Sequence, residues 1–190
     1  MRVGLYGGMF DPIHVGHLTL ALALKESAGL DEVWFCPASC SPHKRGSDAL
    51  PAAERLQMVR LAVDPIPDCR VIKIEVDRPP PSYTIDTVRE LAAAYPDYTF
   101  HLLLGSDALD RLDEWAHIEE LLELAPPLVG RRTAHFTIPE RIKEKIRYIE
   151  TPLLEVSSTD LRPRLRKGEY CGHLIPSSSY QYLIENELYL

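Results

Sequence analysis

The chain has 190 residues, is 45% hydrophobic and 26% charged, and carries a formal net charge of −7 at pH 7. That length supports a substantial core, and we expect a single domain over 1–190. The acidic balance argues against a general nucleic-acid binder, and no apolar run reaches the roughly 18 residues of a membrane span.

Val3 to Tyr6 reads as a short buried strand, and Gly7 and Gly8 follow at once. Asp11-Pro12 must turn, and His14 and His17 come next. Leu18 to Leu30 is predicted to be a helix. Its leucines alternate as in a strand, but Leu, Ala, Lys and Glu are strong helix formers and Gly29 stands where a C-cap glycine belongs. A strand, a glycine turn and a helix start aim backbone N–H groups and a positive dipole end at one place, which suits a phosphate. The two glycines remove the Cβ atoms that would hold it off. Both histidines can donate a ring N–H to a phosphate oxygen and take up charge near neutral pH. A pair of histidines is more often structural than catalytic; the placement of the whole string directly after a strand favours the phosphate. The spacing is not that of a zinc protease, which needs histidines at i and i+4, and no metal site is read here.

Glu32 to Cys36 is a second predicted strand, so the chain opens as a strand–helix–strand unit of a parallel sheet. Pro37 to Asp48 is a loop carrying His43-Lys44-Arg45, as suited to an anion contact as to plain solvation. Pro51 opens a helix with Leu56, Val59 and Val63 as its apolar stripe. Arg70 to Val76 alternates and is predicted to be a third strand. Pro79-Pro80-Pro81 stiffens the approach to Tyr83 and to Thr84, which reads as the N-cap of a helix to Ala94. Tyr98 to Leu104 is a fourth strand ending in Gly105-Ser106-Asp107, where Asp107 could receive ribose hydroxyls or cap the next helix. Pro127 to Gly130 and Arg147 to Glu150 are short strands. Val156-Ser157-Ser158-Thr159-Asp160-Leu161-Arg162 places hydroxyls and N–H groups at a helix start with an arginine on its first turn, a second anion site or simply a capped helix. Pro176 to Ser179 caps a last packing helix, Tyr180 to Glu187. Four cysteines without a C-x-x-C pair indicate neither a zinc site nor a disulfide framework. The N-terminus does not read as a signal peptide, and a reducing cytoplasm is expected.

Gly7 to His17 resembles the N-terminal signature of nucleotidyltransferases with an H-x-G-H motif, matched by His14-Val15-Gly16-His17. VSSTDLR is similar to the I-S-S-T-x-(I/L)-R motif that accompanies it. PASCSPHK (37–44), PSYTIDT (81–87) and GSDALDRLDEW (105–115) resemble one branch, the bacterial nicotinate-nucleotide adenylyltransferases, so the likeness covers nearly the whole chain. The resemblance implies a Rossmann-like, doubly wound parallel α/β sheet of five to six strands with helices on both faces. It implies transfer of the adenylyl group of ATP to nicotinate mononucleotide, with Mg2+ bound mainly through the ATP phosphates.

The same resemblance implies catalytic roles for His14, His17, Lys44 and Arg162. ATP would also meet Gly7, Gly8 and Phe10 at one end, Gly105 and Asp107 at the ribose, and Ser158 and Thr159 beside the adenine and pyrophosphate. Nicotinate mononucleotide would meet Lys44, Tyr83, Thr84, Trp115 and Arg131. The chain departs from the family pattern in three places. Ser41 stands for a proline, Ile118 for an aromatic, and Gly130-Arg131-Arg132-Thr133 for an Arg-Pro-Gly, so the choice between Arg131 and Arg132 stays open. The expected partners are small molecules, not nucleic acid or membrane; the oligomeric state is open, a homodimer among the options.

The chemistry suits such residues, because a phosphate monoester is already a nucleophile and needs alignment and charge stabilisation rather than a base. Adenylyltransferases for nicotinamide mononucleotide and for phosphopantetheine share the two end motifs, but the PSYT string and Trp115 favour a pyridine mononucleotide. An ATP-sensing module without catalysis is a different class of answer, and the intact histidines, Lys44 and Arg162 weigh against it.

Overall fold

The computed structural model describes residues 1–39, 49–79, 81–133 and 135–189. Among them six strands form one parallel sheet: β1 (Arg2–Gly8), β2 (Glu32–Pro37), β3 (Cys69–Val71), β4 (Thr99–Gly105), β5 (Leu128–Gly130) and β6 (Arg147–Ile149). Their order is β3-β2-β1-β4-β5-β6. Around the sheet are α1 (Val15–Ala28), α2 (Ala52–Val63), α3 (Ile74–Asp77), α4 (Thr84–Ala94), α5 (Ile118–Leu124), α6 (Ser158–Arg166) and α7 (Ser177–Glu185), with 3₁₀ segments at Ser106–Glu114 and Glu140–Lys145. This is the expected Rossmann-like α/β class.

Parallel strands are covered on both faces, so they read as apolar runs rather than as alternations. Val3, Leu5 and Tyr6 of β1 and Phe100 and Leu102 to Leu104 of β4 are accordingly buried. The ambiguous segment 15–28 is a helix that buries Leu20, Ala21, Leu24 and Ala28, one helical stripe. It ends as expected at Gly29, whose φ of 64° needs a residue without Cβ.

Three local expectations are corrected. Gly7 and Gly8 close β1 itself, and the turn comes after them. The third strand is only Cys69–Val71: one further backbone bond runs from the Ile72 N–H to the Phe35 carbonyl, and the chain then coils into α3 with Glu75 buried. Alternation over seven residues does not separate a long strand from a short one plus a helical turn. Thr84 is the first helical residue of α4 while Tyr83 takes the N-cap position, with no side-chain cap.

Contacts within the chain gather into two compact units. The first comprises Met1–Gly7, Thr19–Trp34 and Tyr83–Glu155. In it β1 pairs with β4 from Arg2↔Thr99 to Leu5↔Leu102, and β5 and β6 follow on the far side of β4. The order of strands reverses between β1 and β4, the place where open parallel sheets collect ligands at their carboxyl ends. Trp34 packs edge-on against Tyr95 and Phe100, with ring centroids 5.1 and 5.6 Å apart.

The second unit comprises Gly8–Leu18, Phe35–Ser82 and Val156–Leu190. Here α7 packs along α2. The serines expected to cap α7 fasten it instead: Ser179 Oγ donates to the Met58 carbonyl and Ser178 Oγ to the Leu61 carbonyl, each at 2.7 Å. No helix among the described residues is long and apolar enough to cross a membrane.

Candidate active site

Both end motifs lie in the second unit, and Ser158 and Arg162 of the second join it to the first. After Gly8 the chain passes through Phe10 at φ 48° and a cis Asp11-Pro12 bond, then enters α1 at Val15. A positive φ is uncommon for a residue with Cβ and concentrates at functional turns. Ser158 Oγ donates to the Pro12 carbonyl at 2.9 Å, and Arg162 Nη1 donates to the Asp11 carbonyl at 2.9 Å. Tyr189 Oη donates to Asp11 Oδ1 at 2.6 Å. The Asp11-Pro12 turn is therefore gripped by the second motif and by Tyr189.

His14 is fully buried and His17 half-buried, with their rings stacked at 3.7 Å. The backbone N–H of His14 donates to Nδ1 of His17 at 3.2 Å. A ring nitrogen that accepts holds no proton, so the proton of His17 sits on Nε2, which becomes an N–H donor. Phe10 meets His17 edge-on at 5.0 Å. A Cβ on Gly16 would come within 2.8 Å of Val156 Cγ1 and 3.1 Å of His14 Nδ1, so the small residue of His-x-Gly-His lets the second motif close on the first.

The backbone cradle expected at the start of α1 is partly spent. Val15 N–H donates to the Leu174 carbonyl and His17 N–H to the His14 carbonyl, both at 2.9 Å. On α6, Ser157 is the N-cap: its Oγ accepts from the Asp160 N–H at 3.1 Å and donates to Asp160 Oδ2 at 2.6 Å. Thr159 is exposed, and Arg162 Nη2 lies 3.4 Å from its hydroxyl.

Arg55 of α2 is buried, and its guanidinium donates to the carbonyls of Met9 (2.7 Å), Ser39 (2.9 Å) and Leu50 (3.0 Å). It ties the segment after β1 to the residues flanking 40–48. Lys44, with His43 and Arg45, lies outside the described residues.

In the first unit, β4 ends at Gly105, where a Cβ would run into Asp107 Oδ1 and come within 3.0 Å of Arg132 Cβ. Ser106 is buried; its Oγ accepts from the N–H groups of Arg132 (3.0 Å) and Thr133 (3.2 Å), locking the segment after β5 to the end of β4. Asp107 stays exposed and does not cap the 3₁₀ segment, whose N-cap is Gly105. The hydroxyl of Tyr6 is held far above the ordinary tyrosine range by burial. The Arg132 charge and hydrogen bond pull against that, and Asp107 adds to it. Tyr6, Gly105, Asp107 and Arg132 thus form one cluster. Arg131 turns elsewhere and pairs with Glu150 at 3.0 Å.

Tyr83 is exposed at the N-cap position of α4, Thr84 is half-buried behind it, and Trp115 is half-buried at the end of the 3₁₀ segment. Glu114 is exposed and paired with Arg111 at 2.9 Å, while Asp113 is half-buried. Sequence reading missed Arg55, Ser106 and Tyr189, and left Arg132 as an open alternative to Arg131. The only signal for Arg55 was a charge standing four residues before Val59 on the buried stripe of α2.

A family model described as cytidylyltransferase-like matches residues 5–164. The chain is 43% identical over 190 residues to a probable nicotinate-nucleotide adenylyltransferase of Exiguobacterium sibiricum, covering 100% of this chain and 99% of that one. It is 36% identical to the nicotinate-nucleotide adenylyltransferase of Bacillus subtilis, covering 99% and 98%. A solved structure similar in fold is the Plasmodium falciparum nicotinic acid mononucleotide adenylyltransferase complexed with NaAD. Its TM-score is 0.81 at 24% identity, over 99% of this chain and 97% of that one.

Proposed function

This chain belongs to the nicotinate-nucleotide adenylyltransferases, within the cytidylyltransferase-like family, and we propose that its residues carry out that family's reaction as follows. The phosphate of nicotinate mononucleotide attacks the α-phosphorus of ATP; the bond from that phosphorus to the bridging oxygen of the β-phosphate breaks. Pyrophosphate leaves, and nicotinate adenine dinucleotide forms on the route to NAD. The observation that carries this reading is the fastening of the two end motifs to one turn, by Ser158 on Pro12 and Arg162 on Asp11.

In this reading the Nε2–H of His17 donates to an oxygen of the α-phosphate as negative charge grows there. Arg162, with a side chain 23% exposed and anchored on Asp11, turns its remaining N–H groups to the departing pyrophosphate. Neither group removes a proton, and none needs removing. The stacked ring of His14 fixes the plane of His17. Asp107 accepts from the ribose hydroxyls of ATP. Arg132 is a better candidate than Arg131 for the mononucleotide phosphate, because Arg131 is committed to Glu150. Lys44 keeps its proposed place beside the phosphates.

Mg2+ enters with ATP. Its coordination habits favour phosphate oxygens and water over a cage of protein side chains. When bound, it neutralises phosphate charge and favours the leaving of pyrophosphate.

Tyr83 and Trp115 supply flat surface for the pyridine ring. The start of α4 supplies N–H donors and a positive dipole end, which favour a carboxylate over an amide. Expected kcat/KM for nicotinate mononucleotide therefore exceeds that for nicotinamide mononucleotide by at least ~10-fold, or about 1.4 kcal/mol. The comparison is made at matched Mg2+ and ATP. Equal values, or a preference for the amide, would remove the pocket reading while leaving the enzyme class standing.

A further inference from the structure

Tyr189 lies 178 positions from Asp11 in sequence, yet its hydroxyl reaches the Asp11 carboxylate at 2.6 Å. Both residues are buried, Asp11 being 4% and Tyr189 7% exposed. Tyr189 sits at φ 69°, a backbone conformation unfavourable for a residue with Cβ, so its side chain is delivered to this spot at a local cost. The same carboxylate oxygen, Oδ1, accepts from the Leu50 N–H at 3.3 Å. The other oxygen, Oδ2, stands 3.7 Å from Arg162 Nη1, too far for a good hydrogen bond, while that Nη1 donates to the Asp11 carbonyl at 2.9 Å.

We propose that Tyr189 is a positioning residue for adenylyl transfer: by holding Asp11 Oδ1, it keeps the carboxylate from closing on Arg162 and leaves that guanidinium to the pyrophosphate. The proposal rests on the reaction assigned above. An aspartate with a strong donor on one oxygen is fixed in rotation. Remove the donor and the nearest strong partner is the Arg162 guanidinium, which would form a direct, two-toothed ion pair. Arg162 would then spend its fork on the protein rather than on the substrate. Burial and the neighbouring Asp11 hold the Tyr189 hydroxyl far above the ordinary tyrosine range, so it remains a donor under all working conditions.

The test is Tyr189→Phe, which keeps the ring and removes the donor. We expect kcat to fall at least ~5-fold with the KM for nicotinate mononucleotide unchanged. The fall should vanish in an Arg162→Lys background, because the hydroxyl acts only through the arginine. A residue that merely stabilises the fold would lower Tm and leave kcat, measured well below Tm, at the wild-type value; that result overturns the proposal. So does a fall of equal size in the Arg162→Lys background. If Tyr189→Phe does not fold, Tyr189→Met, apolar and without a donor, carries the test: a ~5-fold fall in kcat at unchanged mononucleotide KM supports the proposal, and wild-type kcat overturns it. Failure of the reaction itself is distinguishable, because wild-type protein would then form no nicotinate adenine dinucleotide at all.

Discussion

His17→Ala is expected to lower kcat by about two to three orders of magnitude, or roughly 3 to 4 kcal/mol of barrier. The variant loses an N–H donor aimed at charge that develops only in the transition state, so KM should move much less than kcat. Its structural cost is smaller. The His14 N–H loses its acceptor on Nδ1 and the His14 ring loses its stacking partner, together on the order of 1 kcal/mol. His17→Asn separates the two effects, because the amide oxygen of asparagine can accept from the same N–H. It should recover most of the lost Tm and little of the lost rate. Near wild-type kcat in His17→Ala would end the role assigned to this ring.

The second large effect is expected at Arg162. Arg162→Lys keeps the charge but loses the planar fork that spans the Asp11 carbonyl, the Thr159 hydroxyl and the incoming phosphates. We expect kcat to fall by at least ~10-fold, about 1.4 kcal/mol, with ATP binding weakened as well. Arg162→Ala should go further, toward ~100-fold, because it also removes one of the two side-chain bonds that tie the Asp11-Pro12 turn to α6. Steady-state kinetics with ATP varied at saturating nicotinate mononucleotide reads both parameters. If turnover and ATP affinity both survive Arg162→Lys, the residue closes a turn and does nothing for the reaction.

Fold class and motif placement were legible because they rest on local features: apolar runs for parallel strands, Gly29 for the end of α1, and a serine N-cap for α6. The contacts that build the site were less so, because they are made at long range. Nothing near Tyr189 in sequence announces that its hydroxyl will meet Asp11, and Arg55 looks like any helix arginine until three carbonyls are found around its guanidinium. Gly7 and Gly8 drew attention as turn formers, yet they extend β1; the turn is made by Phe10 and the Asp11-Pro12 bond, whose conformations composition does not announce. Arg131 and Arg132 are adjacent, and sequence has no means of choosing between them. Their surroundings differ in the fold: just past the end of β5 consecutive side chains diverge, sending Arg131 to Glu150 and Arg132 to the Tyr6–Asp107 cluster.

The central claim is that this chain joins an intact adenylyl group to the phosphate of nicotinate mononucleotide. The most direct measurement follows ATP labelled at its α-phosphorus, incubated with the protein, Mg2+ and nicotinate mononucleotide. The account predicts that the label passes into nicotinate adenine dinucleotide, with one unlabelled pyrophosphate released for each dinucleotide formed. Label appearing in ADP or AMP, or remaining in ATP while the mononucleotide is present, would contradict it.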